Sequence, residues 1–185
     1  MRVFGIDPGS IRTGYGCVDT TGARHTLVTC GALVTPTGAS LPDRLHTIFR
    51  GLSALLAETR PDCVAVESVF HAANARSALV LGQARGVAVV AAVEAGIAVV
   101  EYTPAEIKRA VTGYGRAEKQ QIQQMVKLLL GLDVVPTPHD AADALAIAVC
   151  HLHQVVRPGG LEVPVGRTST TPAGRTPRSW RQWKP

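Results

Sequence analysis

GIDPGSIRTGYG, residues 5–16, closes a short apolar run, Val3–Ile6, and breaks it at Asp7 with a Pro-Gly turn. A run of this length ending in Asp-Pro-Gly reads as a buried strand and a tight turn. Thr13–Val18 and His25–Val34 continue with β-branched residues and glycine-containing turns, so an antiparallel meander of three strands is expected. Asp7 is left at a strand end. A carboxylate there is a turn former, or it meets a partner or a cation.

After Val34 the period lengthens. Leu41, Leu45, Ile48, Leu52, Leu55 and Leu56 form a helical stripe, with Ser40 and Asp43 as a capping pair at its start. Cys63–Val66 is a second short apolar strand, and it ends at Glu67. A helix over about Asn74 to Ala95 and a strand Ile97–Tyr102 follow. Thr103-Pro104-Ala105-Glu106 then carries a cap, a proline at the first helical position and a glutamate three residues after the cap. Ile122, Met125, Val126 and Leu129 mark another helix after Arg116, and Pro138 precedes a last one from about Asp140 to Val155. A meander followed by strand–helix–strand units predicts an α/β fold: a mixed five-stranded sheet with flanking helices.

Composition narrows the class. Hydrophobic residues make up 46% and charged residues 18% of the 185, which suits a globular domain with a real core. Cys17, Cys30, Cys63 and Cys150 stand far apart without a CxxC pair, so reduced thiols are expected in place of a zinc cage or disulfide scaffold. No signal peptide is expected before the first strand, and the longest apolar stretch, Val87–Val93, falls short of a span of roughly 18 residues. A soluble, cytoplasmic protein is the expectation. The net charge of +5 sits mostly in the stretch from Glu162, where Arg167, Arg175, Arg178, Arg181 and Lys184 face one acid. Rich in Pro, Thr, Gly and Arg, residues 158–185 are expected to form a basic, disordered tail after a domain spanning 1–157. Trp180 and Trp183 give that tail a contact surface for DNA or a partner, against the plainer reading of a solvated end.

The acids carry the chemistry. If the strands ending at Asp7 and Glu67 are parallel neighbours, both carboxylates emerge at one sheet edge. Asp140 and Asp143 are three apart at a helix start and share a face, either as site residues or as acids favoured by the helix dipole. Converging carboxylates repel unless cations hold them, and hard oxygen ligands suit Mg²⁺ or Mn²⁺. Two such ions about 4 Å apart activate a water and stabilise the leaving oxygen of a phosphodiester.

Four segments in register then carry a resemblance: GIDPGSIRTGYG from Gly5, VESVFHAANARSAL from Val66, LGQARGVAVVAAV from Leu81 and HDAADALAIA from His139. Over about residues 1–155 the chain resembles the RuvC family of Holliday-junction resolvases. The resemblance implies a ribonuclease-H-like fold, a homodimer, and symmetric paired nicking of a four-way DNA junction in recombination and repair. It implies catalytic and metal-binding roles for Asp7, Glu67, Asp140 and Asp143, with two ions per active site. His139 is a further ligand or proton-transfer candidate. It also implies base stacking by Phe70, phosphate contacts by Lys108 and Lys119, and a branch-migration partner of the RuvA and RuvB type. Arg76, Arg85, Arg109 and Arg116 are candidates for backbone contacts that position the duplex. The family often carries basic residues where this chain has Ala73 and Val80, so its set of phosphate contacts differs.

The helix from Asn74 to Ala95 points to a dimer independently. It is apolar around much of its circumference, and Gly82 and Gly86 are spaced for close helix approach. The alternative is a core helix of a monomer. Two rival functions remain at this level. One is an actin-like or sugar-kinase-like ATPase, whose phosphate-binding turn GIDPGS…TGYG also resembles. The other is a junction-binding module in which the acids only cap helices.

Overall fold

A computed structural model describes residues 1–68 and 74–155. Strand β1 (Arg2–Asp7) pairs antiparallel with β2 (Arg12–Thr21), and β2 with β3 (Arg24–Val34). On its other side β1 pairs parallel with β4 (Cys63–Glu67), which pairs parallel with β5 (Ala98–Tyr102). The order is β3-β2-β1-β4-β5, the mixed sheet with a meander that the sequence predicts. The apolar runs carried the signal for β1, β4 and β5, which are five or six residues long, and the turn at Gly22 for the longer β2 and β3.

Five helices cover the sheet. Helices α1 (Leu41–Thr59) and α2 (Ala75–Glu94) take one face, while α3 (Pro104–Thr112), α4 (Lys119–Leu129) and α5 (His139–Val155) take the other. The caps read from sequence are present. Asp43 N–H donates to Ser40 Oγ at the start of α1, and Thr103 with Glu106 closes a reciprocal capping box on α3. Asn74 caps α2 through the Ser77 N–H.

Side-chain alternation along the strands decides which face each acid meets. Phe4, Ile6, Val64 and Val66 pack into the core beneath α1 and α2. Val3 and Ala65 pack into the core beneath α5. Asp7 and Glu67 share the parity of Val3 and Ala65, so both carboxylates leave the sheet on the α5 side.

By length and average composition α2 is apolar enough to cross a membrane, although the longest unbroken apolar run is short. Within α2, Gly82, Gln83, Arg85 and Gly86 interrupt the apolar run. Its Ala84, Ala88, Ala91 and Ala92 are buried in the core. Among the described residues Cys17, Cys63 and Cys150 are buried and Cys30 partly so, all as thiols. The tail 158–185, with Trp180 and Trp183, lies outside the described residues, as does Phe70.

Candidate active site

The register of β1 and β4 builds the site. Ile6 pairs with Val66, so Asp7 and Glu67 leave adjacent strands side by side. The turn after Asp7 is stapled by Thr13, whose hydroxyl donates to the Gly9 carbonyl at 2.7 Å. Thr35 closes the same turn from β3, with its N–H donating to the Ile11 carbonyl at 3.0 Å.

Helix α5 brings the remaining acids by an unusually close approach. A Cβ on Gly5 would lie 2.0 Å from the Ala144 carbonyl oxygen, and one on Gly14 would lie 2.1 Å from that of Asp140. On Gly16 it would meet the Leu145 side chain at 2.7 Å. Only glycine admits the helix here. The glycines of GIDPGSIRTGYG therefore seat a helix; the fourth, Gly9, is crowded by the Arg12 carbonyl. The seat accounts for three of the motif's four glycines without a phosphate, on which the ATPase reading rests.

A cavity of about 230 Å³ results, lined by Asp7, Glu67, Asp143, Lys108 and Lys119 over an apolar floor that includes Ile107, Ile122 and Ile147. Burial, reinforced by the charges of Glu67, Asp143 and Asp140, pushes the Asp7 carboxyl up to about 7. Glu67 is raised as well, by burial and then by Asp143, with Lys108 and Lys119 working the other way. Lys119 Nζ lies 2.5 Å from Asp143 Oδ2. Burial works against the charge on Lys119, but the hydrogen bond and charge of Asp143, with Asp7 and Asp140, outweigh it and raise its pKa.

The two helix acids divide. Asp143 lines the cavity, whereas Asp140 is not among its lining residues and lies 3.9 Å from Arg12. Three residues along a helix turn a side chain by about 60° from its neighbour, enough to aim the two acids differently. His139 is not among the cavity-lining residues; its Nδ1 is 3.0 Å from the Gln123 amide nitrogen. Among the described residues no three acidic, histidine or cysteine side chains already form a closed ligand group. The acids line a cavity whose like charges a divalent ion would relieve, and three hard oxygen donors around one space fit such an ion.

The basic candidates scatter. Lys108 and Lys119 face the cavity. Arg76 lines a shallow hollow with Ser10 of the β1–β2 turn, while Arg109 and Arg116 are exposed near the α3–α4 connection. Arg85 is ion-paired with Glu101 of β5. Arg12, which sequence reasoning passed over, is the cation nearest Asp140 in the ion-pair geometry. Its position five residues after Asp7, across a tight turn, was the available signal.

Comparison with known proteins agrees with this geometry. Residues 3–151 match the family model described as crossover junction endodeoxyribonuclease RuvC. A crossover junction endodeoxyribonuclease RuvC of Citrifermentans bemidjiense is 55% identical over 153 residues, covering 83% of this chain and 93% of the relative. One from Pelobacter propionicus is 51% identical over the full length of both chains. Among solved structures, Thermus thermophilus RuvC superposes with a TM-score of 0.77 at 37% identity, covering 84% of this chain and 95% of the other. The same protein in complex with a Holliday junction substrate gives a TM-score of 0.77 at 35% identity, with the same coverage.

Proposed function

The chain belongs to the RuvC family of crossover junction endodeoxyribonucleases, and from that premise we propose that it resolves four-way DNA junctions by hydrolysing one phosphodiester in each of two opposed strands. The observation that carries the chemistry is the meeting of Asp7, Glu67 and Asp143, from β1, β4 and α5, in one cavity flanked by two lysines. We assign Asp7, Glu67, Asp140 and Asp143 as the catalytic acids and Mg²⁺ or Mn²⁺, two ions per site, as the cofactor. Bound there, the ions supply Lewis-acid charge to orient a water and stabilise the leaving oxygen.

The chain's own residues do the rest. Asp7 and Glu67 present carboxylate oxygens from the sheet edge, and Asp143 faces them from α5. Lys119 pairs with Asp143, and with Lys108 it offers a cation to the scissile phosphate. His139 is oriented by Gln123, which suits a supporting role to Asp140 more than direct ligation. We assign Arg12, Arg76, Arg109 and Arg116 to contacts with the DNA backbone, and Phe70, by family resemblance, to stacking on crossover bases. Arg85, paired with Glu101, contributes through the scaffold. We take residues 1–157 as the nuclease domain and 158–185 as a basic extension of it, in a cytoplasmic protein that works with a branch-migration complex of the RuvA and RuvB type.

Paired nicking needs two sites, and we propose that α2 supplies the dimer contact. Leu79, Val90 and Val93 are 69%, 57% and 64% exposed, and Gly82 and Gly86 lie between them on one stripe with nothing within 4 Å. An apolar helical stripe with small residues at its centre suits a second copy of itself across a twofold axis. The decisive experiment is cleavage of a synthetic four-way junction beside linear duplex, with Mg²⁺ and Mn²⁺ in separate reactions. Symmetric nicks in the junction alone, absent in EDTA, are expected. Equal cutting of duplex, or ATP hydrolysis without cutting, overturns the reading.

A further inference from the structure

Two turns along α5 from Asp143, on the same face, stands His151; Ile147 between them lines the acidic cavity. His151 is 1% exposed, and its Nδ1 lies 2.8 Å from the hydroxyl of Tyr102, itself buried at the end of β5. Burial lowers the His151 pKa and raises that of Tyr102, so both are neutral and the bond joins two uncharged groups. His151 Nε2 is buried without a hydrogen-bond partner among the described residues, and so is the Oγ of Ser68, the residue after Glu67. A core that keeps polar atoms in this condition gives up stability that an apolar pair of the same shape would supply.

Tyr102 also touches the other half of the site through its backbone. It is the register partner of Glu67, and its carbonyl accepts the Ser68 N–H at 2.8 Å. A continuous path therefore runs from Glu67 through Ser68 and the Tyr102 backbone to the Tyr102 hydroxyl, then to His151 and along α5 to Asp143. Eight helical residues cover about 12 Å. Helix α5 makes its main packing contact with β1 and β2, where the glycines seat it, and touches β4 and β5 more lightly. On the β4–β5 side, the side that carries Glu67, the hydrogen bond from Tyr102 to His151 ties sheet to helix.

We propose that Tyr102 and His151 are positioning residues that set the separation between the Glu67 and Asp143 carboxylates, and through it the affinity of the site for its divalent ion. The proposal rests on the metal-dependent nuclease reading above. Neither residue touches substrate; both act through the backbone that carries the acids.

The test uses the full chain and two readouts. Mn²⁺ binding is titrated by electron paramagnetic resonance without DNA, and junction cleavage is measured across a range of Mg²⁺. Tyr102→Phe removes one oxygen, and His151→Leu removes the partner. His151→Asn keeps a polar atom where Nδ1 stood and serves as the conservative rescue. Tyr102→Phe and His151→Leu are expected to weaken Mn²⁺ binding five- to tenfold and to raise half-saturating Mg²⁺ by the same factor. Saturating Mg²⁺ should restore most of the maximal rate, and junction affinity in EDTA should stay unchanged. His151→Asn should bind Mn²⁺ within about twofold of the parent. Unaltered Mn²⁺ affinity in Tyr102→Phe, or a lower maximal rate with unchanged metal dependence, overturns the proposal. Should Tyr102→Phe fail to fold, the contrast between His151→Asn and His151→Leu decides it by the same criteria. A parent chain that nicks no junction in any metal overturns the nuclease reading itself, a result readily told apart from a shift between variants.

Discussion

Gly5 and Gly14 are pressed by α5 until a single added carbon would fall about 2 Å from a backbone oxygen, while Gly82 and Gly86 on α2 meet nothing within 4 Å. The same residue type marks a finished contact in one region and an open one in the other. The crowded pair fixes distances inside one chain, where the acids must face each other. The open pair lies on an exposed apolar stripe with Leu79, Val90 and Val93, which suits a contact between chains. On the proposed reading, chemistry and assembly are divided between opposite faces of the sheet.

That division can be broken first on the crowded side. Asp7→Asn is expected to cut junction cleavage by at least about 10³-fold, or roughly 4 kcal/mol in the barrier, while junction binding and the dimer persist. Parallel loss of binding, measured by gel shift, would make the acid structural. Gly5→Ala should come next, because α5 must move to admit the methyl group. A loss of about 3 kcal/mol is expected, read as a drop in melting temperature of roughly 10 °C together with lost cleavage.

Proton linkage gives an intermediate effect. Burial and the neighbouring acids push the Asp7 carboxyl from an ordinary 3.8 up to about 7. Between those values the unfolded chain releases a proton that the folded chain retains, so stability falls as pH rises through that window. Mg²⁺ favours the ionised acid and should cancel the loss. Thermal melts are expected to show Mg²⁺ stabilising the chain by several degrees at pH 8 and very little at pH 5. A pH-independent Mg²⁺ effect would count against Asp7 as a ligand.

The open side should respond in association alone. Val90→Glu is expected to yield a folded monomer by sedimentation, with nicks that no longer come in pairs. Gly82→Ala is the smallest change and the sharpest contrast to Gly5→Ala. In an exposed helix interior it should stabilise the chain by about 0.5–1 kcal/mol, while the dimer dissociation constant rises about tenfold. A destabilised monomer would mean that Gly82 already has a partner within the chain.

Much of this was legible because the informative residues sit at ends. Asp7 and Glu67 each terminate an apolar run, and strand parity then sends both to the α5 side. The caps of α1 and α3 were read from three-residue spacings that involve no distant contact. What stayed hidden depends on how elements meet. Sequence spacing placed Asp140 and Asp143 on one face of a helix, but the seat of α5 on Gly5 and Gly14 brings Asp143 into the cavity and Asp140 beside Arg12. The bond from Tyr102 to His151 spans 49 residues and needs both the β4–β5 register and the rotation of α5. Glycine is the most ambiguous signal, since the absence of a side chain names no neighbour. The turn motif therefore supported a phosphate cradle as readily as a helix seat.

The seat of α5 has a consequence for sequence drift. At Gly5 and Gly14 the helix rests on main-chain oxygens of Ala144 and Asp140. Main-chain atoms are common to every amino acid, so replacements elsewhere in the core leave this contact's dimensions untouched. A lineage that retains the two glycines inherits the height of α5 above β1 and β2 as a fixed gauge.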